Sequence, residues 1–423
     1  MSENAKYHHY YLLISFLIIT FAQNKMLVAD IAIYTLTSGL HDEQAVEAAT
    51  KEFLNGLNVE FVFRGNDFAD YGSHALELIY VRTGGTEGLF KELLPELQRK
   101  KSGPLYLLTS GKSNSLAASM EIMSFLRQQG LEGEIIHGDA VYICRRIMLL
   151  RQVETARQQL QGCRLGIIGE PSDWLISSRT DADIVRQKTG IELVKIPMDE
   201  LLMTISVTPQ REVSEKAPTE AIRQALPGAQ QIHEALRIIV TRHKLQGLTL
   251  RCFDLLTSVR NTGCLALAQL NAEGIAAGCE GDVPALLSMM IAKTLVGVGG
   301  FQANPASIDP ETGEMVFAHC TIGLNMVERY ELDTHFESGI GVGIRGYMKP
   351  GPVTIFKVSG DMTRHFIAEG ELLRCEAKAD LCRTQMVIRL NDKRQTGYFL
   401  TEPIGNHHII LPGNLKEILM KVL

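Results

Sequence analysis

Residues 248–309 decide the fold of this chain, because strand-like and helix-like patterns alternate along them. The β-type runs are 248–256 (LTLRCFDLL), 275–282 (IAAGCEGD) and 301–309 (FQANPASID), and the helical patterns between them are 262–274 (TGCLALAQLNAEG) and 283–297 (VPALLSMMIAKTLVG). Strands that alternate with helices predict βαβ units and a parallel sheet. This stretch therefore predicts an α/β domain.

The same alternation extends toward the N-terminus. Residues 28–36 (VADIAIYTL) and 58–65 (NVEFVFRG) predict strands with an amphipathic helix between them. After a long charged helix, residues 163–177 (CRLGIIGEPSDWLIS) predict the strand that opens a second α/β unit. We therefore predict two Rossmann-like parallel α/β domains, at 26–162 and 163–309.

Beyond residue 309 the pattern changes to short β-type segments separated by turn residues, such as 313–323 (GEMVFAHCTIG) and 341–348 (GVGIRGYM). Closely spaced short strands are typical of a small antiparallel barrel or sandwich. The fold class predicted for the whole chain is α/β, with a β-rich, barrel-like C-terminal domain at 310–423.

The composition excludes several classes of protein. Of the 423 residues, 45% are hydrophobic and 21% charged, which is ordinary for a globular enzyme and excludes a disordered chain or a coiled coil. With 42 Lys and Arg against 48 Asp and Glu, the net charge is −6, so we expect no nucleic-acid partner. The eight cysteines contain no C-x-x-C pair, which argues against a zinc ribbon or a disulfide framework and favours a reducing, cytoplasmic location.

An apolar run occupies residues 10–22 (YYLLISFLIITFA) near the start of the chain. It is shorter than the stretch of about 20 apolar residues that a membrane-spanning helix needs. Three interpretations stay open: a translated extension upstream of a start at Met26, a signal or anchor segment, and a membrane span. We treat residues 1–25 as an extension or signal-like segment and expect no membrane partner.

Candidate chemical groups lie at the ends of predicted strands, where open α/β folds place their sites. Glu280 ends one strand just before a helix, Asn304 lies at the end of another, and His319 lies on a third. His407 and His408 lead into the last strand. Carboxylate, carboxamide and imidazole groups that converge could hold a divalent ion and leave positions for substrate oxygens. A structural role for each histidine is the alternative.

Several short motifs, in this order, resemble the L-fucose isomerase-like family, which is related to the L-fucose and L-arabinose isomerases. The motifs are 279–290 (CEGDVPALLSMM), 301–309 (FQANPASID), 317–322 (FAHCTI) and 405–409 (GNHHI), and residues 163–177 resemble the family's second α/β unit. The resemblance covers residue 26 to the end and is densest over 252–320. It implies a three-domain subunit, a divalent ion such as Mn²⁺, a monosaccharide substrate that is interconverted between aldose and ketose, and a homo-oligomer with sites between subunits.

The resemblance also implies roles for individual residues. Glu280 matches the family's metal-binding and catalytic glutamate, and His408 matches its metal-binding histidine, with His407 as the alternative ligand. Asn304 stands where the family has a second metal-binding and catalytic carboxylate, which is a departure from the pattern. Its amide can lend an oxygen to a metal, but it cannot accept a proton.

Four residues are candidates for contacts with substrate. His319 resembles an additional histidine of the arabinose branch, and His407 adjoins the matched His408. Trp174 lies in the motif of the second α/β unit, and Arg260 is a candidate for binding sugar hydroxyls, with a solvated role as its alternative.

The missing carboxylate leaves the proton transfer open. Moving a proton between neighbouring carbons needs a positioned base, and Glu280 can hardly be ligand and base in one step. Asp282, Asp309 and Glu337 are further carboxylates, although Asp282 could instead cap the following helix. We expect a metal-dependent aldose–ketose isomerase. The alternatives are a metal enzyme of the same fold with epimerase or lyase activity, and a sugar-binding protein without catalysis.

Overall fold

A computed structural model describes residues 30–211 and 217–423 of the chain. Their contacts divide the chain into two compact units, Met1–Thr155 and Ala156–Leu423. The prediction for residues 1–25 lies outside the described residues, and the predicted boundaries at 162 and 309 stay a prediction. Among the described residues, no helix combines the length and apolar character needed to cross a membrane.

The first unit contains a parallel sheet with the strand order β2-β1-β3-β4-β5. Its strands are β1 (Ile31–Leu36), β2 (Val62–Gly65), β3 (Leu76–Val81), β4 (Leu105–Leu108) and β5 (Gly133–Ile136). The helices that begin in it are α1 (Glu43–Asn55), α2 (Glu87–Lys100), α3 (Ser115–Gln128) and α4 (Ala140–Leu160). Every residue of β1 and β3 is buried, as expected for parallel strands covered on both faces.

The second unit begins with another parallel sheet, in the order β7-β6-β8-β9. Its strands are β6 (Arg164–Ile168), β7 (Glu192–Ile196), β8 (Gly247–Leu250) and β9 (Ala276–Cys279). Its helices are α5 (Ala182–Thr189), α6 (Met198–Val207), α7 (Glu220–His243), α8 (Asp254–Ser258), α9 (Cys264–Ala272) and α10 (Val283–Val296). The two parallel sheets confirm the α/β part of the predicted fold.

The C-terminal part of this unit is a closed antiparallel barrel in the order β10-β11-β16-β15-β14-β17. The remaining strands are β10 (Phe301–Ile308), β11 (Glu314–His319), β12 (Arg329–Asp333), β13 (Gly343–Tyr347), β14 (Gly351–Val358), β15 (His365–Glu376), β16 (Thr384–Leu390) and β17 (His408–Pro412). Two short helices, α11 (Thr396–Thr401) and α12 (Lys416–Val422), complete it. The barrel confirms the predicted β-rich domain.

Two strands lie elsewhere than the sequence pattern indicates. Strand β10, which we grouped with the parallel strands before it, pairs antiparallel with β11 and β17 and closes the barrel. Strand β13 pairs with β12 in a separate two-stranded sheet. An apolar run predicts that a strand forms, but its partner depends on contacts that are distant in sequence.

Alternation along the barrel strands determines which side chains face the site. Phe301, Ala303 and Ile410 belong to one apolar core cluster, and Ala303 pairs with His408 across β10 and β17. Because successive side chains of a strand point to opposite faces, His408 shares the face of Ile410, whereas His407 points the other way. The same rule puts Gln302 and Asn304 on one face of β10.

Candidate metal centre

Glu280 lies in a tight turn between strand β9 and helix α10. Its φ of +64° is followed by +70° at Gly281, and a Cβ at position 281 would lie 2.7 Å from Cα of Pro171. The carbonyl of Glu280 accepts a hydrogen bond from the amide of Ser172 at 2.9 Å. A left-handed conformation at a glutamate costs about 1–3 kcal/mol, and such strain concentrates at functional sites. The turn thus holds the Glu280 side chain at the end of the parallel sheet.

Glu280, His319 and His407 converge in a buried group. Oε1 of Glu280 lies 3.6 Å from Nε2 of His319 and 3.5 Å from Nε2 of His407. One ligand atom from each of the three residues lies within 4.8 Å of the others. These separations exceed those of good hydrogen bonds, and Nε2 of His407 has no hydrogen-bond partner among the described residues. The group therefore has the spacing of ligands around a shared ion.

The far side of each imidazole is held by a further polar group. Nδ1 of His407 lies 2.8 Å from Oδ2 of Asp282, and Nδ1 of His319 lies 3.1 Å from Oγ1 of Thr321. Metal-binding histidines usually donate their second ring N–H in this way, which fixes the tautomer and the ring orientation. Asp282 also accepts the amide of Ala285 at 2.9 Å and so caps helix α10, as the sequence suggested.

A buried lysine completes this layer. Nζ of Lys357 lies 3.7 Å from Oδ2 of Asp282, and both side chains are fully buried. Lys357 is not among the residues predicted from the sequence, although a lysine in the apolar strand GPVTIFKV is an identifiable signal. A buried charge without a partner is strongly destabilising. The carboxylate of Asp282 is therefore the counter-charge for Lys357 as well as the hydrogen-bond partner of His407.

The charges of the group are set by burial and by mutual contact. Burial alone would raise the pKa of Glu280, but the two imidazoles reverse this and hold the pKa well below its usual range. Burial would lower the pKa of His407, but Asp282 and Glu280 raise it to about 9. Burial lowers the pKa of His319, and Glu280 offsets this only in part. A carboxylate therefore faces one protonated and one neutral imidazole.

Trp174 lies at the more open side of the group. The indole Nε1 of Trp174 donates to Oε2 of Glu280 at 2.6 Å, and 51% of the Trp174 side chain is exposed. Partial burial and the charge of Glu280 raise the pKa of Glu337, and no described hydrogen bond or ion pair joins Glu337 to the group. Trp174, one of the predicted substrate-binding residues, is thus in direct contact with Glu280.

The other predicted site residues occupy different positions. His408 is fully buried on the opposite face of β17, where Nε2 lies 3.0 Å from the hydroxyl of Tyr398 and Nδ1 lies 3.0 Å from the carbonyl of Asn406. Arg260 is exposed, and no described hydrogen bond or ion pair joins it to Glu280. The structure thus brings His407, rather than His408, to Glu280.

Asn304 lies within strand β10, and no described hydrogen bond joins it to Glu280, His319 or His407. It pairs with Ala318, the residue before His319, and shares a face with Gln302, which accepts the amide of Cys279 at 2.8 Å. Its buried Oδ1 has no hydrogen-bond partner within residues 30–211 and 217–423. This amide oxygen, left without a donor in the described structure, is available to a cation.

Two imidazoles and a carboxylate whose ligand atoms lie within 4.8 Å of one another fit a divalent transition metal, since this donor set is used for Mn, Fe, Co and Zn. The fold and this group together define a protein with two parallel α/β sheets, an antiparallel β-barrel and a candidate metal centre.

No family model matches the chain. The chain is 24% identical to sulfoquinovose isomerase of Priestia aryabhattai and to that of Priestia megaterium over an alignment of 327 positions, which covers 73% of this chain and 73% of each relative. It is also 29% identical to sulfoquinovose isomerase of a Clostridium species over an alignment of 183 positions, which covers 37% of this chain and 40% of the relative.

Proposed function

We propose that this protein is a metal-dependent aldose–ketose isomerase of the L-fucose isomerase-like type, with a monosaccharide as substrate. The observation that carries the proposal is the buried group of Glu280, His319 and His407, with Nε2 of His407 directed at Glu280 and left unpaired in the described structure. The relatives named as sugar isomerases support the same class of reaction.

The three residues are the proposed ligands of a divalent ion, and Mn²⁺ is the ion we favour. His407 replaces His408 in this assignment, because Nε2 of His408 lies at the hydroxyl of Tyr398 on the other face of the strand. The amide oxygen of Asn304 is the proposed further ligand. When bound, the ion supplies Lewis-acid stabilisation of negative charge on neighbouring substrate oxygens.

Glu337 is the proposed base for the proton on carbon. Asp282 is occupied by His407 and the helix cap, and Asp309 is exposed in a turn where it accepts from Thr312. Burial and the charge of Glu280 raise the pKa of the Glu337 carboxyl, so that it holds a proton more readily than an ordinary glutamate does, as a general base requires. Glu280 then acts as a ligand, and Glu337 carries the proton.

The reaction itself tests the proposal. We expect the Mn²⁺-loaded protein, incubated in D₂O with a panel of aldoses that includes sulfoquinovose, to form ketose and to exchange the C2 proton of the aldose, as seen by NMR. Glu337→Gln should lower kcat by about 10²–10⁴-fold, since this is what a general base contributes. Mn²⁺ affinity should be unchanged in this variant.

Two outcomes would contradict this proposal. Ligand binding without ketose formation or proton exchange would favour a sugar-binding protein, and cleavage or an epimeric product would favour the alternative reactions. Exposed Glu311, in a barrel turn, is a matched control, and Glu311→Gln should keep full activity.

The pH dependence of metal binding follows from His407. Its pKa of about 9 lies above the value of about 6.5 for a free histidine, so His407 carries a proton at pH 7 in the metal-free protein. A ligand imidazole must be neutral, so Mn²⁺ binding at pH 7 should release about one proton. Apparent affinity should rise with pH up to about 9 and then level off. Calorimetric titrations in buffers of different ionisation enthalpy measure this release, and a value near zero would argue against His407 as ligand.

A further inference from the structure

A second group of buried metal-ligand side chains lies in the same unit. Cys264 begins helix α9, Cys320 follows strand β11, and His335 lies in the loop between β12 and β13. One ligand atom from each lies within 4.8 Å of the others, and all three residues are at least nine-tenths buried. Nδ1 of His335 lies 3.0 Å from Oγ of Ser338, which leaves Nε2 as the nitrogen available to an ion.

The distance between the two sulfurs can be compared with the distances expected for a shared metal ion and for a disulfide. Sγ of Cys264 and Sγ of Cys320 are 3.1 Å apart. Two thiolates on one tetrahedral zinc ion, with Zn–S bonds of about 2.3 Å, lie about 3.8 Å apart. A disulfide requires about 2.05 Å. The two sulfurs would thus have to move about 0.7 Å apart to share a zinc ion. They would have to move about 1.0 Å closer to form a disulfide.

The surroundings of the pair favour the ion. A disulfide between Cys264 and Cys320 would leave the imidazole of His335 without a role. Two thiolates and one imidazole, by contrast, are three of the four ligands of a common zinc site. Cys252 and Cys279 make a second close pair, 2.9 Å apart, but no third ligand joins them among the described residues.

We propose that Cys264, Cys320 and His335 form a second metal site, separate from the candidate centre at Glu280, that takes a thiophilic divalent ion such as Zn²⁺. The site links the start of α9 to the end of β11 and to the loop that carries His335, so the ion stabilises these elements against one another. The proposal does not depend on the isomerase activity.

Cobalt as a spectroscopic probe tests this site. The full-length protein, reduced and freed of metal, is titrated with Co²⁺ in the absence of air. We expect one equivalent per chain to give the intense near-ultraviolet band of sulfur-to-cobalt charge transfer. The band should persist in Glu280→Gln and in Cys252→Ser, the matched variant from the other thiol pair. It should fall at least tenfold in Cys264→Ser.

X-ray absorption of the Glu280→Gln variant with one equivalent of Zn²⁺ keeps the test independent of whether Cys264→Ser folds. The proposal expects at least two sulfurs at about 2.3 Å from zinc. A shell of nitrogen and oxygen alone, the absence of a cobalt–thiolate band in the wild-type protein, or a band lost in Cys252→Ser and kept in folded Cys264→Ser would overturn it. Loss of isomerase activity with the band intact would concern the Glu280 centre alone.

Discussion

Glu280→Gln is expected to lower the conversion of aldose to ketose by about 10³-fold or more, because the substitution removes the charge that faces both imidazoles. Oε1 of Glu280 is the atom shared by His319 and His407, at 3.6 and 3.5 Å. Glutamine keeps the shape of the side chain and can still accept the indole N–H of Trp174. The loss should therefore appear in kcat and in Mn²⁺ affinity, with an unchanged far-ultraviolet circular dichroism spectrum.

A matched control separates this effect from a general change of charge. Glu170 is exposed on the loop that packs against Gly281, so Glu170→Gln removes the same charge from the neighbouring surface. We expect this control to retain activity within about twofold, as is usual for surface substitutions. Activity of Glu280→Gln near that of the wild type would contradict the assignment of Glu280.

Asp282→Asn is expected to destabilise the second unit by about 3–5 kcal/mol, because it breaks a buried ion pair and leaves the charge of Lys357 uncompensated. Asparagine is itself a good helix N-cap, so the cap of α10 should survive. The decrease in the free energy of unfolding should therefore measure the loss of the ion pair with Lys357. The same change should weaken Mn²⁺ binding about 10–100-fold, since His407 loses the carboxylate that orients it.

Trp174 is the only tryptophan of the chain and lies in the second unit, so its fluorescence follows unfolding of this unit in urea. Lys357→Met provides the matched partner for a double-mutant cycle. We expect Asp282→Asn/Lys357→Met to be more stable than Asp282→Asn alone, because the unpaired charge is gone. A decrease of less than about 1 kcal/mol in the free energy of unfolding of Asp282→Asn would be that of an ordinary substitution. Such a result would refute the ion pair between Asp282 and Lys357.

Much of the fold could be predicted from local patterns. The apolar runs of β6, β8 and β9 and the capped helices between them are βαβ signals within a few dozen residues. The position of β10 could not be predicted in this way, since its partners include β17, about a hundred residues later in the chain. Strand formation is encoded locally, whereas pairing depends on the register of distant segments.

The candidate site was predictable to a similar extent. Glu280 and His319 stand out because polar groups end apolar strands, and both lie in the central group. The choice between His407 and His408 depends on which face of β17 points to Glu280, and a shift of one residue in register would exchange them. Lys357 and its pairing with Asp282 depend on packing between α10 and the barrel, which no local motif reports.

Mn²⁺ binding to the two adjacent histidine variants tests the central claim most directly. The loss of the free Mn²⁺ signal in electron paramagnetic resonance gives stoichiometry and affinity without knowledge of the sugar. The account predicts one tight site per chain in the wild type and in His408→Gln, and its loss in His407→Gln and Glu280→Ala. Equal binding in His407→Gln and the wild type, or loss confined to a folded His408→Gln, would contradict it.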